Sequence, residues 1–569
     1  MKNILVREYL ESLTESDELD YIFSILLEVM EFKIISTAKS TKGLAQYGKD
    51  IVAVGKDYDG KRKRFYFEIK GGRDKDITSS TLNKPDGIIE SIREAKNRPY
   101  KDSSNPEFNS LPVKIVIVHN GIIHPSVKET FDGFIEIEFP KRKSKPKFEF
   151  ERWDIYQLTE LFTTHLFNEY LLVDEEALKH FKKVLVLINT PRNNYVDFFN
   201  LINFIFEKAG DNSTLPERKR LLFFETIKMV SFIVYHYSKE VNNLEAAKKC
   251  IPYSILKLWA WILDNKLEKN TKILHHFRKN FEVLFLTLQD YYTKTIPTVS
   301  LKNGLWSPEG GRYEQVGYPI RSLEYLSYLL FYYQCQRELA LENENLLDEQ
   351  LFNLIQILNN NDGTTRPFFD NHSIPICLTL NFLIENSREG DAKSYLRNVI
   401  TSIQLAYNTH KRLPDGRSRI ESVIQLVVTN KKSVYYEEQT SHLFGILFEY
   451  LCLLDMKDDY IRFKKLIDET KTDLAEFVPY TDSQLLEYLP ENKINHEVHL
   501  LTHELYSEGY QSEIRLEEDF EDFKKKIFAK EGFSYTYTTN KTGYSYLLTL
   551  AHIYHKTPLF PNYWKAKLT

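Results

Sequence analysis

"GKDIVAVGKDYDGKRKRFYFEIKGG", residues 48–72, is the stretch whose reading decides the fold. It reads as two strands joined at Asp59-Gly60. Side chains alternate along a strand, so Glu68 and Lys70 share one face while Phe67 and Ile69 take the other. A three-residue loop Tyr58-Asp59-Gly60, with Gly60 left-handed, is a common hairpin form. It pairs Asp57 with Lys61, and therefore Asp50 with Glu68. A two-residue turn at Asp59-Gly60 would set Asp50 against Ile69 instead; the three-residue loop is the favoured reading.

Two carboxylates facing each other across a ladder are destabilising unless something offsets them. A divalent cation does so: Mg²⁺ takes one or two carboxylates, with waters and a phosphate oxygen completing its shell. Lys70 on the same face could orient or deprotonate a water, or steady charge building on phosphorus. The hairpin is therefore a candidate centre for phosphodiester chemistry.

Outward from the hairpin, residues 1–165 mix helical and strand signals. "DELDYIFSILLEVMEF" reads as a largely buried helix and "DGIIESIREAKNRPY" as an amphipathic one. "VKIVIVHNG" has the β-branched density of a central strand, "GFIEIEFP" alternates like another, and "FEFERWDIYQLTELF" reads as a strand leading into a helix. The order α-β-β-α-β-β-α predicts an α/β domain with a mixed sheet flanked by helices. From 166 to 569 the apolar spacing is helical, which predicts a large all-α region of one or two subdomains with a break near 295–320.

Asp50, a hairpin, then Glu68-Ile69-Lys70 resembles the PD-(D/E)XK nuclease superfamily, whose core is the restriction-endonuclease-like fold. "LAQYGKDIVAV" is similar to the approach to the catalytic Asp in the Mrr-like restriction group. The likeness covers roughly residues 15–165. It implies Asp50, Glu68 and Lys70 as catalytic residues, and Asp50, Glu68 and the Ile69 carbonyl as ligands of Mg²⁺ or Mn²⁺. Glu28, on the preceding helix, is the best match for the further acid of the family, with Glu31 the alternative. Two departures stand out. Lys49 replaces the Pro before Asp50, and the helix after Lys70 has no Gln, leaving Ser91, Arg93 or Lys96 in its place.

Lys61, Arg62, Lys63 and Arg64 crowd the hairpin turn, and Lys141, Arg142 and Lys143 open a second basic run. With Lys49, they are candidate phosphate contacts. The chain carries 75 Lys and Arg against 80 Asp and Glu, so any nucleic-acid surface must be local. Four scattered cysteines with no CxxC pair fit neither a zinc finger nor a disulfide framework and suit a reducing, cytoplasmic setting. No apolar run has the length to cross a bilayer, so no membrane association is expected. "HEVHLLTHE" (496–504) lacks the order of a zinc-protease motif, and "SPEGGRYEQVGYPIR" (307–321) lacks that of a P-loop.

The resemblance thus implies a metal-dependent endonuclease, on DNA before RNA, in antiphage or restriction defence. The helical region would control it and serve as the surface for a protein partner or self-association. The alternative is a nucleic-acid-binding or scaffold protein in which a nuclease-like fold no longer cleaves.

Overall fold

The computed structural model describes residues 2–37, 47–85, 87–101, 106–140, 147–167, 175–188, 190, 195–210, 216–339, 345–479, 509–529, 543–559 and 562–565. The chain forms two compact units, Met1–Ala247 and Lys248–Thr569.

The first unit is built on a five-stranded sheet: β1 (Lys33–Thr37), β2 (Ile51–Lys56), β3 (Arg62–Lys70), β4 (Val113–His119) and β5 (Phe148–Trp153). The strands lie in sequence order. β1, β2 and β3 run antiparallel, whereas β3, β4 and β5 run parallel, so the sheet is mixed as expected. Among the described residues, seven helices flank it: α1 (Lys2–Ser12), α2 (Asp20–Val29), α3 (Ser79–Asn83), α4 (Ile88–Asn97), α5 (Pro106–Ser110), α6 (Pro125–Glu138) and α7 (Ile155–Leu161).

The alternation in β3 gives the sheet two apolar faces. Phe65 and Phe67 stack on each other and meet Phe32, Phe23 and Trp153, with ring centroids 4.9–5.9 Å apart across the nearest pairs. Burying each such ring contributes about 1.5–3 kcal/mol. On the opposite face Val52, Val54, Tyr66, Val113 and Ile115 pack with Ala95 of α4 and Phe108 of α5. Ile117 continues that face against Ile88 and Ile92 of α4 and Phe131 and Phe134 of α6.

One expectation needs correction here, and one strand is added. "GFIEIEFP" is not a strand: residues 133–138 are the last part of α6, with Val127, Phe131 and Phe134 buried at helical spacing and Ile137 facing solvent at 78% exposure. The strand β1, "KIIST", went unanticipated because its burial is only partial and its alternation short.

The helices Glu175–Leu187, Val196–Ala209 and Glu217–Glu240 also belong to the first unit. Tyr9 of α1 meets Phe167 and Phe232 edge-on at 6.0 and 5.5 Å. The Tyr237 hydroxyl donates to the Glu8 carboxylate at 2.6 Å.

The second unit is mainly helical but not all-α, a further correction. Thr440–Ser441 (β6), Asp473–Pro479 (β7) and Gly509–Ile514 (β8) form a three-stranded sheet, β6 parallel to β7 and β7 antiparallel to β8. The 307–321 loop is structural: Glu314 accepts from the Ser307 N–H at 3.0 Å and pairs with Arg321 at 2.5 Å. All four cysteines are free and buried. Among the described residues no helix is long and apolar enough to cross a membrane.

Candidate functional site

The hairpin adopts the register expected from its turn. Ile51 pairs with Phe67 and Lys56 with Arg62, so continuing the ladder sets Asp50 beside Glu68. The Asp57 N–H donates to the Lys61 carbonyl at 2.9 Å, and Gly60 turns the chain at φ +75°. At the other end, Gly48 brings the chain against α4. Its φ is +69°, and a Cβ there would lie 2.0 Å from the Ser91 carbonyl oxygen. Both glycines are therefore required by conformation, and Gly48 by space as well.

Asp50, Glu68 and Lys70 converge. The Ile69 N–H donates to Asp50 Oδ2 at 2.7 Å, which fixes that carboxylate over the end of β3. Glu68 is 5% exposed. Lys70 Nζ pairs with Glu68 Oε1 at 2.8 Å. Burial, with the Glu68 charge next in weight, raises the Asp50 pKa to about 7 against the pull of the Ile69 N–H and Lys70. For Lys70, burial works to lower the pKa, but Glu68, Glu15 and Asp50 outweigh it and hold it above its ordinary value.

Glu15 is the acid that the sequence reading missed. Its Oε2 accepts from the Gly71 N–H at 3.3 Å. Burial raises its pKa, Lys70 and the Gly71 N–H oppose, and Glu68 adds to the rise. Three carboxylates thus share one ammonium. The signal that could have found it is "KGG": a Cβ on Gly71 would lie 2.9 Å from the Glu15 nitrogen, so only a glycine lets this segment approach. Glu28, by contrast, is exposed on α2, and Glu31 is exposed with φ +65° just beyond it.

Comparison of the chain with protein-family models, curated proteins and solved structures returned no match. The centre therefore stands on its own geometry.

The basic residues divide. Lys63 is 4% exposed and pairs with Asp57 at 2.6 Å and Glu149 at 2.7 Å. Lys114 of β4 joins them, 2.7 Å from Asp57 and 2.9 Å from Glu151. Arg64 is buried and donates to the Leu111 and Tyr100 carbonyls. Lys49 is buried too, its Nζ donating to the Tyr47 carbonyl at 2.7 Å and the Arg98 carbonyl at 3.0 Å. Burial lowers its pKa to about 8, with Glu94 and Glu68 opposing. Lys49, Lys63 and Arg64 are thus committed inside the fold and cannot also serve as a phosphate surface. Lys61 and Arg62 are exposed at the hairpin tip. Lys141, Arg142 and Lys143 lie outside the described residues, as does the histidine cluster at 496–504.

Of the residues left open on α4, Arg93 and Lys96 bind Glu138 at 3.0 and 2.9 Å. Ser91 is buried beneath Gly48. Among the described residues, no three His, Cys, Asp or Glu side chains form a ready metal cage. Mg²⁺ does not need one, since two carboxylates with waters suffice. The donor set, the buried excess of negative charge and the fixed Asp50 fit that ion.

Proposed function

We propose that the first unit is a metal-dependent nuclease, hydrolysing phosphodiester bonds with Asp50, Glu68 and Lys70, and that the helical region regulates it. The observation that carries this reading is the facing pair Asp50 and Glu68, with Lys70 at 2.8 Å from Glu68 and Glu15 adding a further acid. An excess of buried carboxylates is costly unless a cation is shared between them.

Asp50 and Glu68 would hold Mg²⁺ or Mn²⁺. Such an ion, when bound, lowers the pKa of a coordinated water and offsets charge on the phosphate. The Ile69 N–H keeps Asp50 in place for this task, while the Ile69 carbonyl is a further candidate ligand. Lys70, held protonated by its acidic neighbours, is suited to stabilising negative charge rather than to taking a proton from water.

Arg62 is six residues from Glu68 along β3, or about 20 Å at a rise of ~3.3 Å per residue. Lys61 and Arg62 would therefore meet backbone phosphates about six nucleotides from the cut, holding a duplex across the domain. The resemblance to restriction-type nucleases favours DNA as substrate, with RNA as the second arm of the test. A role in defence against foreign DNA would account for a large regulatory region on a cutting domain, with a protein partner or self-association as the trigger.

The test is cleavage of plasmid DNA and of RNA by the full chain with Mg²⁺, Mn²⁺ or EDTA, beside Asp50→Ala, Glu68→Ala and Lys70→Ala. Metal-dependent cutting lost in all three variants is expected. Undiminished cutting by Glu68→Ala would overturn the site. Binding without cutting under every condition would favour a scaffold in which the fold has lost catalysis.

A further inference from the structure

The second unit carries an open cleft of about 640 Å³, inside the size range of small-molecule sites. Its wall is polar and includes Arg417, Arg419, Lys556 and His442, with Asp370 and Glu437 as its acids. The two arginines ride on a turn that is fixed from beneath. Asp415, fully buried, accepts from the Arg417, Arg419 and Glu437 N–H groups at 3.3, 2.9 and 2.9 Å. The turn is thus pre-shaped, and the guanidinium groups project from a rigid base.

The acids of the wall are already engaged. Asp370 accepts from Ser441 Oγ at 2.5 Å and from the His442 and Leu443 N–H groups at 2.9 and 3.0 Å, capping the helix His442–Leu453. Glu437 accepts from the Gln439 N–H at 2.8 Å, and Arg417 stands 3.9 Å away at the limit of an ion pair. Arg419 leans over the Tyr435 ring at 5.1 Å, and its side chain is exposed.

His442 is a buried member of the wall. It is 7% exposed, and its Nδ1 is buried without a hydrogen-bond partner. The Gln511 amide nitrogen stands 3.4 Å from His442 Nε2. The wall therefore gathers three cationic side chains around the buried His442 ring. What would complete it is a ligand rich in anionic oxygens.

We propose that this cleft binds a small phosphorylated ligand, with Arg417 and Arg419 as forks on its phosphate oxygens and Lys556 as a further cation. Arginine pairs match phosphate geometry in two-point contacts. The proposal is independent of the reading of the acidic centre in the first unit.

Inorganic tripolyphosphate is the probe, titrated calorimetrically into the full chain in EDTA so that metal chemistry does not enter. Saturable binding near one equivalent is expected. Arg417→Glu and Arg419→Glu, both at exposed positions, should each weaken it at least tenfold while leaving the ligand-free melting temperature unchanged. Asp50→Ala should leave it unaltered. The proposal fails if the unaltered chain shows no saturable binding at millimolar tripolyphosphate, or if both reversals bind as before. It also fails if citrate binds as tightly as tripolyphosphate, or if Arg62→Glu abolishes binding as the Arg417 and Arg419 reversals do.

Discussion

Asp50 carries the largest electrostatic cost of the acidic centre. A carboxyl whose pKa climbs from 3.8 to about 7 on folding favours the folded state most at low pH. Its contribution worsens as pH rises from near 4 to near 7, where the unfolded chain ionises and the folded one resists, and is flat above. Asp50→Asn keeps an oxygen for the Ile69 N–H and removes the charge. It should therefore stabilise the fold in EDTA at pH 8 by on the order of 1 kcal/mol, seen as a higher melting temperature, while abolishing cutting. In the unaltered chain, Mg²⁺ should raise the melting temperature at that pH, and Asp50→Asn should lose this response. A destabilised Asp50→Asn in EDTA would contradict the charge crowding.

The basic residues of the hairpin test burial against surface at the same scale. Lys63 and Lys114 share Asp57, whose own pKa is lowered: burial acts to raise it, and the two ammonium groups more than reverse that. Removing one partner of such a buried cluster costs about 3–5 kcal/mol. Asp57→Ala should thus destabilise strongly in a denaturant melt. Arg62→Ala should leave the melt unchanged and instead flatten the salt dependence of DNA binding by about one unit of log–log slope. The sequence showed four consecutive basic residues and no way to separate them, because the acids that take up Lys63 come from β5 and from the far side of the turn.

At the scale of elements, the hairpin was legible because everything that sets its register is local: a turn ending in glycine, alternation on both strands and a buried aromatic face. The fate of residues 133–138 was not. Phe134, Ile135 and Ile137 alternate with glutamates enough to suggest a strand, but the helix starts at His124-Pro125, whose side chain and ring are suited to a helix N-terminus. Over that longer window the buried set is Val127, Phe131 and Phe134. A strand would set Ile135 and Ile137 on one face, whereas the helix packs Ile135 against the core and leaves Ile137 in solvent. Phe134→Ala should cost about 3 kcal/mol, whereas Ile137→Lys should be silent within about 0.5 kcal/mol. A large cost at Ile137 with little at Phe134 by thermal melting would restore the strand. Glu15 was illegible for a different reason: its place in the centre depends on the packing of Gly71 against residues 14 and 15, a contact between segments more than fifty residues apart.

At the scale of the whole molecule, composition pointed to a sheet-bearing domain ahead of a helical one, and the change of texture near residue 165 was read as the boundary. Contacts follow a different line, because helices beyond 165 complete the core of the first unit. Tyr9 rests on Phe167 and Phe232, and Tyr237 bonds Glu8, so α1 would lose its apolar cover and a hydrogen-bond partner in a chain ending at 165. Apolar periodicity marks those helices as amphipathic but does not say which surface they cover. A fragment of residues 1–243, ending before the helix Leu244–Asp264, should melt cooperatively by calorimetry. The fragment 1–165 should aggregate or melt without a cooperative transition, since the truncation of a single buried aromatic already costs about 3–5 kcal/mol of a total near 5–15. A stable, cooperative 1–165 would show that these helices are an accessory layer, and would return the boundary to where the texture of the sequence changes.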